Sequence, residues 1–118
     1  MTADELLEKY RRLAIAYGEA GEACDPTARN AAFDQLESVQ MALLELGEER
    51  RILELLDDSS EHVRLWAGFD ALYFSPEDGL RVMRELEQAP SVEVSFDAWS
   101  TLQEWERGDL VLMPWENE

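Results

Sequence analysis

The chain has 118 residues and 13.6 kDa, with 46% hydrophobic and 31% charged side chains, a globular composition at the length of one domain. Twenty-seven acidic side chains against 10 basic ones leave a net charge of −17, which repels phosphate and excludes a sequence-independent nucleic-acid binder. A single Cys and a single His exclude an intramolecular disulfide and the usual zinc sites.

Every long segment carries helical period. The first helix opens at Thr2, with Glu5 three residues on in a capping-box pattern. Leu6, Leu7, Tyr10, Leu13, Ala14 and Tyr17 recur at three- and four-residue spacing and form one apolar stripe. Glu5–Lys9 and Glu8–Arg12 are i,i+4 pairs in the favourable order, and Gly18 and Gly21 weaken the helix end. Asp25 caps a second helix whose first turn holds Pro26. Its stripe is Ala32, Leu36, Val39, Leu43 and Leu46, and Gly47 reads as the left-handed residue that stops it. A short third helix is predicted from about Glu48 to Leu56.

Asp57-Asp58-Ser59-Ser60 is a turn and cap cluster. The fourth helix is predicted to bury Val63, Trp66, Ala67 and Phe74, together with Phe69 or with Ala71 and Leu72 beside Asp70. Ser75-Pro76-Glu77-Asp78 restarts the chain with a cap, an N1 proline and two acids at the positive helix end. The fifth helix carries Leu80, Met83 and Leu86 and stops before Pro90. A sixth is predicted to be capped by Ser95, to place Phe96, Trp99, Leu102 and Trp105 inside, and to close at Gly108. The tail, Leu110 to Trp115, is apolar and contains Pro114, so a continuous helix is not predicted there.

No low-complexity linker interrupts the chain. The expectation is one domain over residues 1–118: a capping helix over 1–24, two helix pairs over 25–89, and a last helix with tail over 95–118. Val63, Ala67, Ala71 and Phe74 match Val94, Ala98, Leu102 and Trp105 at a uniform sequence offset. Helix-pair repeats of roughly 30–47 residues mark stacked α-solenoids. The predicted class is therefore all-α, a short HEAT-like α-α superhelix of about six helices in antiparallel pairs, with the apolar tail packed as a cap.

The run Val63-Arg64-Leu65-Trp66-Ala67, the later proline- and acid-started helix, and the closing Leu102-Gln103-Glu104-Trp105-Glu106-Arg107-Gly108 carry a family likeness. Together they resemble a small bacterial family defined only as a domain of unknown function, number two-thousand-nineteen. The likeness spans about Thr27 to Leu110. It implies a HEAT/ARM-like superhelix and supplies no catalytic or ligand residues.

No residue pattern specifies a reaction. His62 stands at a helix start without a triad partner, and it reads as a solvent-facing first-turn residue. Cys24 lies between Glu22 and Asp25, which disfavour a thiolate. Asp25, Asp57 and Asp58 read as cap and turn residues rather than cation ligands. No Glu-x-x-His motif is available for a di-metal bundle. No cofactor, metal or catalytic residue is therefore assigned, and the protein is not expected to be an enzyme. Trp66, Trp99 and Trp105 fall on apolar stripes and are assigned to the core. Trp115 is open to two roles, cap or partner anchor.

Charge distribution is the functional lead. Asp34, Glu37 and Glu45 share a face of the second helix with no base at i+4, and Asp97, Glu104, Glu106 and Asp109 are short of partners. Uncompensated like charge costs stability, and a binding surface is one reason to keep it. The expected function is a protein-interaction module for a basic protein, of the kind that an immunity-type inhibitor uses to occlude a nuclease groove. Asp34, Glu37, Glu45, Asp97, Glu104 and Trp115 are the candidate contacts. The alternative is an accessory or scaffolding subunit that binds through Leu112, Met113 and Trp115. A homodimer through an open stack end is also allowed. With no bilayer-length apolar run and no signal-peptide pattern in Met1 to Glu5, the expected location is the cytoplasm and no membrane partner is expected.

Overall fold

The structure is a computed structural model and describes residues 1–116. Five α-helices and one 3-10 segment follow in order: α1 (Ala3–Glu22), α2 (Pro26–Glu45), the 3-10 segment (Glu49–Leu55), α3 (Glu61–Phe74), α4 (Pro76–Leu86) and α5 (Val92–Arg107). The described residues contain no strand. None of these helices is long and apolar enough to cross a membrane.

Local chemistry sets most of the boundaries. Thr2 Oγ1 accepts from the Glu5 N–H at 3.2 Å, and Glu5 accepts from the Thr2 N–H at 2.9 Å, completing the capping box. Glu5 therefore turns back to the cap. Asp25 accepts from the Ala28 N–H at 3.1 Å ahead of Pro26. Gly47 and Gly108 close α2 and α5 at φ +70° and +75°, where a side chain would be strained. The predicted third helix is the 3-10 segment, and Arg50 Nη1 ties it to the Phe74 carbonyl at the end of α3 at 3.2 Å.

One boundary differs from expectation. Ser91, not Ser95, caps α5: its Oγ accepts from the Val94 N–H at 3.4 Å. Ser95 Oγ instead donates to the Glu87 carbonyl at 2.7 Å, fastening α5 to the end of α4. The helix starts one turn early because Pro90-Ser91 already supplies a cap after the break.

α1 and α2 form one hairpin, α3 and α4 a second, and α5 packs on both α3 and α4. Small residues permit the second hairpin: a Cβ on Gly79 would lie 2.7 Å from the Leu72 backbone N. One core joins all the elements. It runs from Leu6, Leu7 and Tyr10 through Leu36, Val39 and Leu43 to Ala67, Ala71, Met83, Leu86, Val94 and Leu102. Val63, Ala67 and Ala71 are buried, and so are their offset counterparts Val94, Ala98 and Leu102. The radius of gyration is 13.3 Å and the extents are 35 × 30 × 26 Å, close to the ~13.5 Å of a compact chain of this length.

Trp115 takes the first of its two expected roles, and Trp99 departs from its expected place in the core. Trp115 is 2% exposed and belongs to the core, where it packs against Phe74 with ring centroids 4.8 Å apart. It acts as the cap and is not available as a partner anchor. Leu112 is buried beside it. Trp99 is 48% and Phe96 59% exposed. The buried positions of α5 are Val94, Ala98 and Leu102, which form a narrower stripe that leaves Phe96 and Trp99 on its shoulder.

Candidate functional site

α2 and α3 share no close backbone approach; side chains bridge the gap between them, and a groove of about 320 Å³ opens there. Arg29, Phe33, Glu37 and Gln40 contribute from α2. Their spacing of four, four and three residues puts them on one face. Leu65, Trp66 and Phe69 face them from α3, and Asp97, Ser100 and Thr101 close the side from α5. Tyr17 of α1, Met83 of α4 and Met113 of the tail complete the lining.

The aromatic rings form one cluster. Tyr17 meets Trp66 edge-on with centroids 5.2 Å apart, and Phe33 lies 6.0 Å from Trp66 and 6.4 Å from Tyr17. The Arg29 guanidinium sits 4.5 Å from the Tyr17 ring centroid, a cation–π distance. Its Nε is buried with no hydrogen-bond partner. No carboxylate of the described residues reaches it within 4.0 Å. Burial pushes the Asp97 carboxyl above its ordinary range; the Arg29 charge opposes this and Glu93 reinforces it. Burial also raises the Tyr17 hydroxyl, against the pull of Arg29.

Beneath the groove lies a polar hub. Asp70, on α3, is 0% exposed. Tyr10 of α1 donates to its Oδ2 at 2.7 Å. Gln40 Nε2 of α2 donates to Oδ1 and Oδ2 at 3.0 and 2.9 Å, and Trp115 Nε1 of the tail donates to Oδ1 at 3.0 Å. Burial pushes the carboxyl up to about 6, although the three donors act the other way. The same burial, with the Asp70 charge, holds the Tyr10 hydroxyl well above its usual range. Gln40 thus joins the hub to the groove wall.

No family model, curated protein or solved structure matches the chain. The site is therefore read from its own chemistry. Of the candidate contacts, Glu37 and Asp97 are brought together on the groove from α2 and α5. Asp34 and Glu45 are exposed on α2, and Glu104 is half-buried on α5. None of these five carboxylates has an ion-pair partner among the described residues. Asp109, expected to lack one, pairs with Arg107 at 3.2 Å.

His62 is not a free first-turn residue. It packs over Gly18, and its Nε2 lies 3.0 Å from Glu22 Oε1, tying α3 to the end of α1. Cys24 is exposed in the α1–α2 turn at φ +53°. Asp58 accepts from Arg11 Nε at 2.8 Å and from the Ser60 N–H at 2.9 Å. Burial raises its carboxyl, but these bonds outweigh burial and hold it below its ordinary range. No group of three or more His, Cys, Asp or Glu side chains gathers in a metal-binding arrangement among the described residues.

Sequence reasoning missed Asp70 and Arg29. Asp70 interrupts the stripe at Val63, Ala67 and Phe74, seven residues after Val63. Gln40 interrupts the second stripe four residues after Leu36. Two polar residues at core positions of different helices were the available signal, since buried polar groups require partners.

Proposed function

We propose that this protein is an acidic helical interaction module that docks a basic protein partner. The two hairpins and α5 are read as a short HEAT-like superhelix, and the resemblance to the bacterial family of unknown function belongs to the same proposal. Matching burial at the repeat offset supports that reading.

The observation that carries the function is the unpaired state of Asp34, Glu37, Glu45, Asp97 and Glu104 in a chain of net charge −17. Elsewhere some arginines are engaged: Arg11 with Asp58, Arg51 with Asp4 and Glu54, and Arg81 with Asp78 and Glu85. These five acids add uncompensated negative charge to α2 and α5, and two of them, Glu37 and Asp97, line the groove. Such a surface steers cationic partners, and its attraction weakens with salt. As an immunity-type inhibitor, the protein would lay this face across the basic groove that a nuclease uses for phosphate.

The test is binding to a panel of purified basic proteins, cationic nucleases included, at about 50 and about 500 mM salt, spanning the screening range. Salt-sensitive association is expected, weakened at least tenfold by joint neutralisation of Asp34, Glu45 and Glu104 as Asn or Gln. Binding that ignores both salt and neutralisation, or no binding at all, defeats the proposal.

A second reading has one observation of its own. Val92, Phe96 and Trp99 form an exposed stripe on α5, with Phe96 and Trp99 rings 5.9 Å apart. A scaffolding role would use this stripe rather than the tail, whose Leu112 and Trp115 are buried. Loss of binding in F96A/W99A, with no salt dependence, would favour it.

A further inference from the structure

The groove combines three features that together define an occupant. Its aromatic cluster offers faces to a flat cation: Phe33 is 40% exposed and Trp66 is half-buried beside it. Arg29 already holds a guanidinium 4.5 Å from the Tyr17 centroid, so the cluster tolerates that group in contact. Glu37 and Asp97 then bring two negative charges to a groove lined by a single cation, Arg29. The surplus is one negative charge.

We propose that this groove receives an arginine side chain of the protein partner, its guanidinium stacked on Phe33 and Trp66 and paired with Glu37 and Asp97. The proposal rests on the basic-partner reading and names the contact through which it acts. The stem would lie along Leu65 and Phe69, as long basic side chains do on apolar surface. A cavity of 320 Å³ stands at the small end of ligand sites, the scale of a side chain with its adjoining peptide.

Other chemistries fit less well. A neutral apolar ligand would take water from two carboxylates and return no charge, which is costly. An anion would gain Arg29 but meet both acids. Lysine matches the charge, yet its ammonium is strongly hydrated and lacks the planar face that stacks on rings. Asp97, already raised by burial, would be drawn back down by an incoming cation.

The experiment is an NMR titration of the full chain with N-acetyl-arginine amide, N-acetyl-lysine amide and N-acetyl-citrulline amide. Citrulline keeps the shape of arginine without its charge. Saturable shifts are expected at the Trp66 indole and the Phe33 ring with arginine, with lysine weaker and citrulline at least tenfold weaker. E37Q, D97N and F33A should each weaken arginine binding about tenfold, while E77Q on α4 should leave it unchanged. A lower titration midpoint for Asp97 in the arginine-bound form is the second readout. Equal binding of citrulline, no arginine shift, or full binding by the three groove variants overturns the proposal.

The basic-protein panel separates this outcome from the wider reading. If D34N/E45Q/E104Q weakens the basic proteins while E37Q, D97N and F33A affect neither probe, the groove assignment falls and the acidic face survives. Loss of both probes in the groove variants supports the arginine site.

Discussion

Trp115 Nε1 donates to Asp70 Oδ1 at 3.0 Å, which fastens the C-terminal tail to a buried carboxylate on α3. Asp70 also holds Tyr10 and Gln40, so one side chain joins α1, α2, α3 and the tail. A hydrogen bond to a charged group contributes about 1.5–3 kcal/mol. W115F keeps the ring but removes the donor, and it should lower stability at neutral pH by about that amount. W115A should cost about 3–5 kcal/mol because a cavity is added. Urea midpoints at constant slope measure both. A W115F protein as stable as wild type would show that the bond contributes nothing.

The same group gives stability a pH response, in the same direction as Asp97, whose carboxyl burial also raises. The Asp70 carboxyl lies at about 6 in the folded chain, against 3.8 ordinarily. Between those values the native state holds a proton that the unfolded chain has released. Stability should therefore rise as pH falls from about 7 to about 4, by about 2 kcal/mol from this group. Relief of the surplus negative charge acts in the same direction. Asp58, held low, acts oppositely, with its loss falling below its ordinary 3.8 and outside this window. In D70N, Oδ1 can still accept from Trp115 and Gln40 and Nδ2 can donate to the Tyr10 hydroxyl, although Nδ2 then replaces an oxygen that accepted from Gln40 Nε2. The variant should fold and show a shallower slope. Thermal melts from pH 4 to 7.5 decide this, and an unchanged D70N slope would assign the response elsewhere.

Gly18 shows how a helical glycine is fixed by a neighbour. A Cβ there would collide with the His62 ring. In the wild-type chain G18A should destabilise by about 1–2 kcal/mol as the imidazole is driven from Glu22. In an H62A background the ring is gone, and Ala should then gain up to about 1 kcal/mol over Gly from helix propensity. A change of sign between the two backgrounds, read from denaturation midpoints, is the expected result. The same sign in both would mean that the contact does not govern the position.

Gly79 should behave differently because its neighbour is backbone. A Cβ would lie 2.7 Å from Leu72 N and 2.9 Å from the Leu72 side chain. No rotamer change relieves the backbone contact, so α3 and α4 must separate. G79A should cost about 2–3 kcal/mol, near the top of the overpacking range. No substitution at Leu72 should restore it. Rescue by L72A would place the strain in the side chain instead.

The helices and most of their ends were legible in the chain because they are set within a few residues. Thr2 with Glu5, Asp25 ahead of Pro26, and the glycines at 47 and 108 act through local hydrogen bonds and backbone freedom. The repeat offset likewise found equivalent buried positions, Val63 with Val94 and Ala67 with Ala98. The sequence also determined the charge surplus and singled out Glu37 and Asp97, without showing that they face one groove. Only tertiary structure decided that meeting, the hub at Asp70, the choice of cap over anchor for Trp115, and the exposure of Trp99. Apolar period marks which face of a helix turns inward, but not how wide a neighbour covers it, and it is silent for a tail with no period. Asp70 finds its donors 60, 30 and 45 residues away in sequence, at distances that only chain folding closes.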